Sequence, residues 1–180
     1  MLTLAALALS ESLPAQADGP MRIRPRAREH YEILTMASNG ERACYRGFTN
    51  TIGLGLEAPY VLQVAIVGSP LGATLTTDGA LGNWGKTVRL VHVGMEAKAF
   101  LPPSVAPVFV RLGAYDARLD TRGNTGRLTG TSMLGGIGLE RDLSGIGLSL
   151  EMAWRRATLT NDTTVTGIAP ALGVHFYKAL

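Results

Sequence analysis

Nine polar side chains carry most of the chemistry this sequence could perform: Gln63, His92, Glu96, Lys98, Arg111, Glu140, Glu151, Arg155 and His175. Paired carboxylates among them would suit general acid–base work, in which one group takes a proton while another gives it. The same residues enclosed in a narrow barrel would instead be ion-paired filling, because a buried charge must be paired. The second reading is favoured, since eight-stranded interiors leave room for side chains and little else. Glu96 and Arg111 are expected to pair directly, on neighbouring strands and one face. Thr125, Thr129, Thr131 and Ser132 crowd one predicted rim without a histidine beside them, a poor start for a nucleophile and its base. No CxxC, HExxH or phosphate-loop pattern occurs, and Cys44 is the single cysteine, so no intramolecular disulfide can form. No catalytic, cofactor or metal site is expected, and the chain reads as a non-enzyme.

The elements that must hold these residues are strands. The 180 residues allow one domain. Charged residues make up 17%, below the quarter or so of soluble domains, and Gly numbers 22. No apolar run is long enough for a membrane helix, and from about residue 28 onward no helical periodicity appears. Period-two alternation instead marks Glu29–Ala37, Gly47–Glu57, Tyr60–Gly68, Lys86–Phe100, Ala106–Arg118, Arg127–Glu140, Gly145–Thr158 and Val165–Ala179. Tight turns are expected at Ala58-Pro59, Leu101–Ser104 and Asp142–Ser144. Longer polar loops are expected at Ser38–Arg46, Ser69–Gly85, Leu119–Gly126 and Leu159–Thr164. Short turns at one end and longer loops at the other are the pattern of an up-and-down transmembrane β-barrel, with both termini periplasmic.

The composition of the two faces separates a membrane barrel from a soluble one. Leu54, Val64, Val93, Val110, Leu150, Met152, Trp154, Leu172 and Phe176 fall on an apolar face and are assigned to lipid. Gly53, Gly94, Gly113, Gly136 and Gly173 share the other face with the charged residues, leaving space for them. A soluble lipocalin-like barrel would need the reverse arrangement. The first segment is ambiguous: either Tyr31 and Ile33 or Leu34 and Met36 could face out.

Residues 1–17 read as an export signal, with apolar Leu2–Leu9 and a small-x-small site at Ala15-Gln16-Ala17, although no basic residue precedes the apolar stretch. Residues 18–28, which hold Arg22, Arg24, Arg26 and Arg28 together with Pro20 and Pro25, are expected to form a solvated periplasmic tail. An anion-binding arm is the other reading of that stretch. No aromatic residues interleave with the arginines, so no nucleic-acid partner is expected. Residues 29–180 are assigned to the barrel.

Gly53-Leu54-Gly55-Leu56-Glu57, Gly138-Leu139-Glu140-Arg141 and the ending Gly173–Leu180 resemble the small outer-membrane barrel superfamily, the OmpA-like and OmpX-like transmembrane domains. The chain departs from that pattern by placing Lys178-Ala179-Leu180 after its aromatic pair. The resemblance implies residence in the bacterial outer membrane, contact with its lipid and lipopolysaccharide, and insertion by the barrel-assembly machinery. The expected role is structural or surface-interacting through the extracellular loops, above all Ser69–Gly85 with Leu75 and Trp84, toward a surface or periplasmic protein partner. A small transport channel is the alternative, with a lipid-modifying enzyme behind it.

Overall fold

The computed structural model describes residues 22–57, 62–77, 84–101, 107–121, 126–143, 146–176 and 178–179. The expected signal segment and the Ala58-Pro59 turn lie outside them. Ten antiparallel strands are present: β1 (Arg22–Ser38), β2 (Glu41–Glu57), β3 (Leu62–Gly68), β4 (Ala73–Thr76), β5 (Thr87–Phe100), β6 (Val108–Thr121), β7 (Arg127–Leu143), β8 (Ile146–Leu159), β9 (Thr163–Phe176) and β10 (Lys178–Ala179). β3 and β4 both pair with β2 and β5, so they occupy one strand position, and β10 prolongs β9 along β1. Because β1 bonds to both β2 and β9, the sheet closes into an eight-membered ring.

The ring is staggered. Following paired residues from Ala37 through Thr164, Thr158, Thr131, Asp116, Val93, Gly68 and Ile52 returns to β1 at Ala27. Such an offset tilts the strands and is what lets a flat ladder close. We call the end bearing the turns after β1, β4, β6 and β8 distal, and the end where residues 22 and 179 lie proximal.

Two differences from the sequence expectation follow from local backbone chemistry. Ser38–Arg46 is not a loop: Asn39 (φ 49°) and Gly40 (φ 82°) make a two-residue turn, and Glu41–Arg46 is strand. Asn-Gly favours this turn because both central residues must take positive φ. Asn161 (φ 57°) and Asp162 (φ 50°) also take positive φ, in the three-residue turn that joins β8 to β9. Residues 22–28 are not a tail either but the first part of β1, paired with β2 throughout and with β9 from Arg26. Pro25 sits within that strand, facing outward.

Polarity inverts along the strands. On β1 the inward residues run Arg24, Arg26, Arg28, His30, Glu32 and then change to Leu34 and Met36. The outward ones are Ala27, Glu29, Tyr31 and Ile33, apolar but for Glu29, and then Thr35. On β5 the inward run Lys98, Glu96, His92 becomes Leu90 and Val88, while outward Met95, Val93 and Val91 become Arg89 and Thr87. β6 changes between Ala114 and Asp116, and β8 between Trp154 and Arg156. These strands are therefore predominantly apolar outside and polar inside proximally, and the reverse distally. Lipid outside demands the first arrangement and water outside the second, so the switch marks one boundary of a membrane. Strands of 14 to 17 residues exceed the 9–11 or so that span a bilayer, and the surplus is distal.

Candidate functional site: the barrel interior and the distal collar

The proximal interior is a layered set of ion pairs. Glu96 sits at its centre: Arg28 Nη2 lies 2.6 Å away, Arg111 Nη1 2.7 Å and Arg26 Nη2 3.1 Å, and Tyr115 donates its hydroxyl proton at 2.6 Å. Glu96 and Arg111 stand diagonally, with Glu96 opposite Gly113 and Lys98 opposite Arg111, which lets the long guanidinium reach back. Arg111 also holds Glu151, by Nη2 at 2.5 Å and Nε at 2.6 Å. Nearer the proximal end, Glu140 accepts from Lys98 and from Arg24 at 2.9 Å, His175 Nε2 lies 3.0 Å from the same carboxylate, and Arg24 spans on to Glu57 at 3.0 Å. Above the Glu96 layer, Arg155 Nη2 meets Glu32 at 3.0 Å, and Arg155 Nη1 lies 3.3 Å from His92 Nδ1. A guanidinium only donates, so Nδ1 accepts and the imidazole carries its proton on Nε2.

Glycine makes room for this filling. A Cβ on Gly113 would strike the Tyr115 phenol, and one on Gly136 would strike the Glu151 carboxylate. Ser69 Oγ also lies 3.3 Å from His92 Nδ1, which on paper is a nucleophile beside a base. Both are buried against the β3–β4 junction, where Ser69 instead ties that junction to His92 by accepting from its backbone N–H at 2.9 Å.

Above these layers the interior turns apolar. Leu34, Met36, Tyr45, Leu75, Trp84, Leu90, Leu119, Leu128 and Leu159 pack into one cluster, and Tyr45 donates to the Gly85 carbonyl at 2.7 Å. This corrects the expectation that Leu75 and Trp84 form an exposed contact loop, since Leu75 is 0% and Trp84 1% exposed. Their inward direction follows from the polarity switch: with water outside, the distal wall needs a core of its own. Cys44, expected in a loop, lies on the outward face of β2.

Outside that cluster runs a basic collar. Arg42, Arg46, Arg89, Arg127 and Arg156 are exposed and outward. Arg118 and Arg127 share Asp120, at 2.9 Å and 3.1 Å. Those hydrogen bonds hold the Asp120 carboxyl, which lies beyond the membrane boundary, below its ordinary range, Arg118 contributing most.

The structure places Gln63, His92, Glu96, Arg111, Glu140, Glu151, Arg155 and His175 in the interior, all buried. Leu54, Val64, Val93, Val110, Leu150, Met152, Trp154, Leu172 and Phe176 stand on the outer face, each substantially exposed. In the first segment Tyr31 and Ile33 face out and Leu34 and Met36 in. The interior residues that sequence reasoning missed include Arg24, Arg26, Arg28, Glu32, His30 and Tyr115. The first four share one parity on β1, a signal that was present but masked by the prolines around it.

A closed ring of tilted strands with a charged interior and an apolar belt defines a small transmembrane β-barrel of the outer-membrane kind. No family model matches the sequence, and no curated protein matches it. Among solved structures, the chain is similar to Neisserial surface protein A (TM-score 0.54, 18% identity, covering 86% of this chain and 96% of that one). It is also similar to Ail, the attachment invasion locus protein of Yersinia pestis, in complex with the heparin analogue sucrose octasulfate (TM-score 0.52, 14% identity, covering 86% and 99%). At these identities the likeness is one of fold.

Proposed function

We propose that the chain is an integral outer-membrane protein with a closed lumen, whose distal end binds anionic groups of the cell surface. The phosphates and acidic sugars of lipopolysaccharide are the nearest such groups. The observation that carries this reading is the collar: Arg46, Arg89 and Arg156 stand exposed immediately beyond the apolar belt, where lipid headgroups and core sugars begin, with Arg127 farther out. With turns of two and three residues after β1 and β8, the interacting surface is the outer wall of the protruding strands more than the loops. The Ail complex with a sulfated saccharide analogue lends support by analogy of fold. The proximal charge layers and the distal apolar cluster both argue against a transport channel.

The test is binding of detergent-folded protein to sucrose octasulfate and to purified lipopolysaccharide. Saturable binding that weakens with salt and drops when Arg46, Arg89 and Arg156 are together changed to Gln is expected. Equal retention by the triple variant would overturn the reading. Stable single-channel steps in planar bilayers would favour transport instead.

A further inference from the structure

Among the described residues, the apolar belt has two polar interruptions away from its edges, Glu29 on β1 and Asn50 on β2. Both are exposed and outward, and they are register partners. Ala27 lies below Glu29 on the outward face and Tyr31 and Ile33 above it. Ile52, Leu54 and Leu56 flank Asn50 below and Phe48 above. At about 3.3 Å per residue, the next polar outward side chain on β1, Thr35, is about 20 Å farther along the strand. Neither Glu29 nor Asn50 has a hydrogen-bond or ion-pair partner among the described residues.

The ladder is broken on both sides of this pair. On the β9 side, pairing stops at His30–Ala171 and resumes at Ile33–Ile168, because Pro170 has no N–H to donate. On the β3–β4 side, pairing stops at Ile52–Gly68 and resumes at Phe48–Thr74, where the turn Ser69–Gly72 interrupts the strand. The β1–β2 ribbon thus combines outward polar side chains with an interrupted ladder on both flanks, an unfavourable sector of the wall to leave against hydrocarbon.

We propose that this sector is covered by a second copy of the chain, the two barrels meeting through their β1–β2 ribbons about a twofold axis along the membrane normal. Such a rotation brings surfaces together with left and right exchanged, so Glu29 of each copy faces Asn50 of the other. A carboxyl and a carboxamide are complementary, each able to accept from the other, and the contact is self-matching as a twofold interface requires. No other outward position in the described belt offers a polar pair. The Tyr31 and Phe48 rings, 5.0 Å apart, continue the contact toward the distal boundary.

The full chain carrying Cys44→Ser is reconstituted in phosphatidylcholine vesicles over a range of protein-to-lipid ratios, with a reporter cysteine at Ala27 or, on a distant part of the wall, at Leu112. Oxidation should give disulfide-linked dimers strongly at Ala27→Cys and weakly at Leu112→Cys. Glu29→Leu or Asn50→Leu in the Ala27→Cys background should lower the association constant by about tenfold, the order of a lost intramembrane hydrogen bond. Glu29→Gln, which keeps a hydrogen-bonding group, should retain it. Heat-modifiable migration on gels shows that each variant is folded. Equal cross-linking at the two reporters, no cross-linking at Ala27, or dimers indifferent to both Leu substitutions would overturn the proposal. None of these outcomes depends on collar binding.

Discussion

Glu96 serves three arginines and a phenol, whereas Arg111 serves two carboxylates, and the two are not interchangeable. Arg111→Met leaves Glu96 with Arg26, Arg28 and Tyr115. Glu96→Gln leaves Arg26 without the carboxylate it pairs with, and Arg28 with Glu151 at 3.9 Å. Removing one partner of a buried pair costs about 3–5 kcal/mol. Glu96→Gln should reach that range and exceed Arg111→Met in a urea titration of lipid-refolded protein. The double variant should remain less stable than Arg111→Met alone. A larger loss for Arg111→Met would show that Glu96 is not the shared centre. In the collar, Asp120 partly neutralises Arg118 and Arg127, so Asp120→Asn should tighten sucrose octasulfate binding. Because the Asp120 carboxyl ionises below its usual range, wild-type binding should strengthen on acidification only once pH falls beneath that range. Titrating binding against pH for wild type and Asp120→Asn checks both expectations.

At the scale of elements, β3 and β4 show what a short insertion does to a ladder. Between Gly68 and Thr74 the chain passes five residues while β2 passes three, and between Gly68 and Ala73 it passes four while β5 passes two. The excess is two on both flanks and is taken up by the Ser69–Gly72 turn, closed by Gly72 N–H donating to Ser69 at 2.9 Å. Deleting Pro70 and Leu71 would preserve side-chain parity and restore one register on both sides. That variant should fold to the same barrel with stability within about 1 kcal/mol of wild type, the lost Arg89 bonds to the Leu71 carbonyl being offset by new ladder bonds. Failure to fold would mean that the turn is required for assembly. The turn was hidden in the sequence because Ser-Pro-Leu-Gly reads as the start of a loop whether or not a strand resumes after it. The Asn39-Gly40 turn, by contrast, was legible from its dipeptide and was obscured by the polar residues around it.

For the molecule as a whole, the outer belt decides where it can exist. Leu54, Ile66, Met95, Leu112, Leu150 and Leu172 are each more than half exposed, which water would not tolerate over so large a continuous surface. The chain should fold only in detergent or lipid, with a β-rich circular dichroism spectrum there, and a monodisperse folded protein in plain buffer would contradict the placement of the belt. The distal third obeys the opposite rule, with a dry core inside and threonine and arginine outside. It should therefore stay ordered beyond the bilayer, so amides near Leu90 and Leu119 should resist hydrogen exchange as strongly as those near Glu96.

What the sequence determined by itself is the alternation and its sign. Strand type, the ring of eight, the polar proximal interior, the lipid face and the Glu96–Arg111 pair all follow from period-two parity, a local property each segment carries. The tertiary structure alone decided how far each strand runs and what closes its distal end. A strand whose inward and outward characters exchange partway along looks, residue by residue, like a strand that has ended. Arg24, Arg26 and Arg28 read as tail, and Leu75 and Trp84 as loop, because their solvent is set by closure. Only when the ring closes is there an interior whose carboxylates can hold the arginines, and a distal mouth whose apolar side chains have one another to pack against.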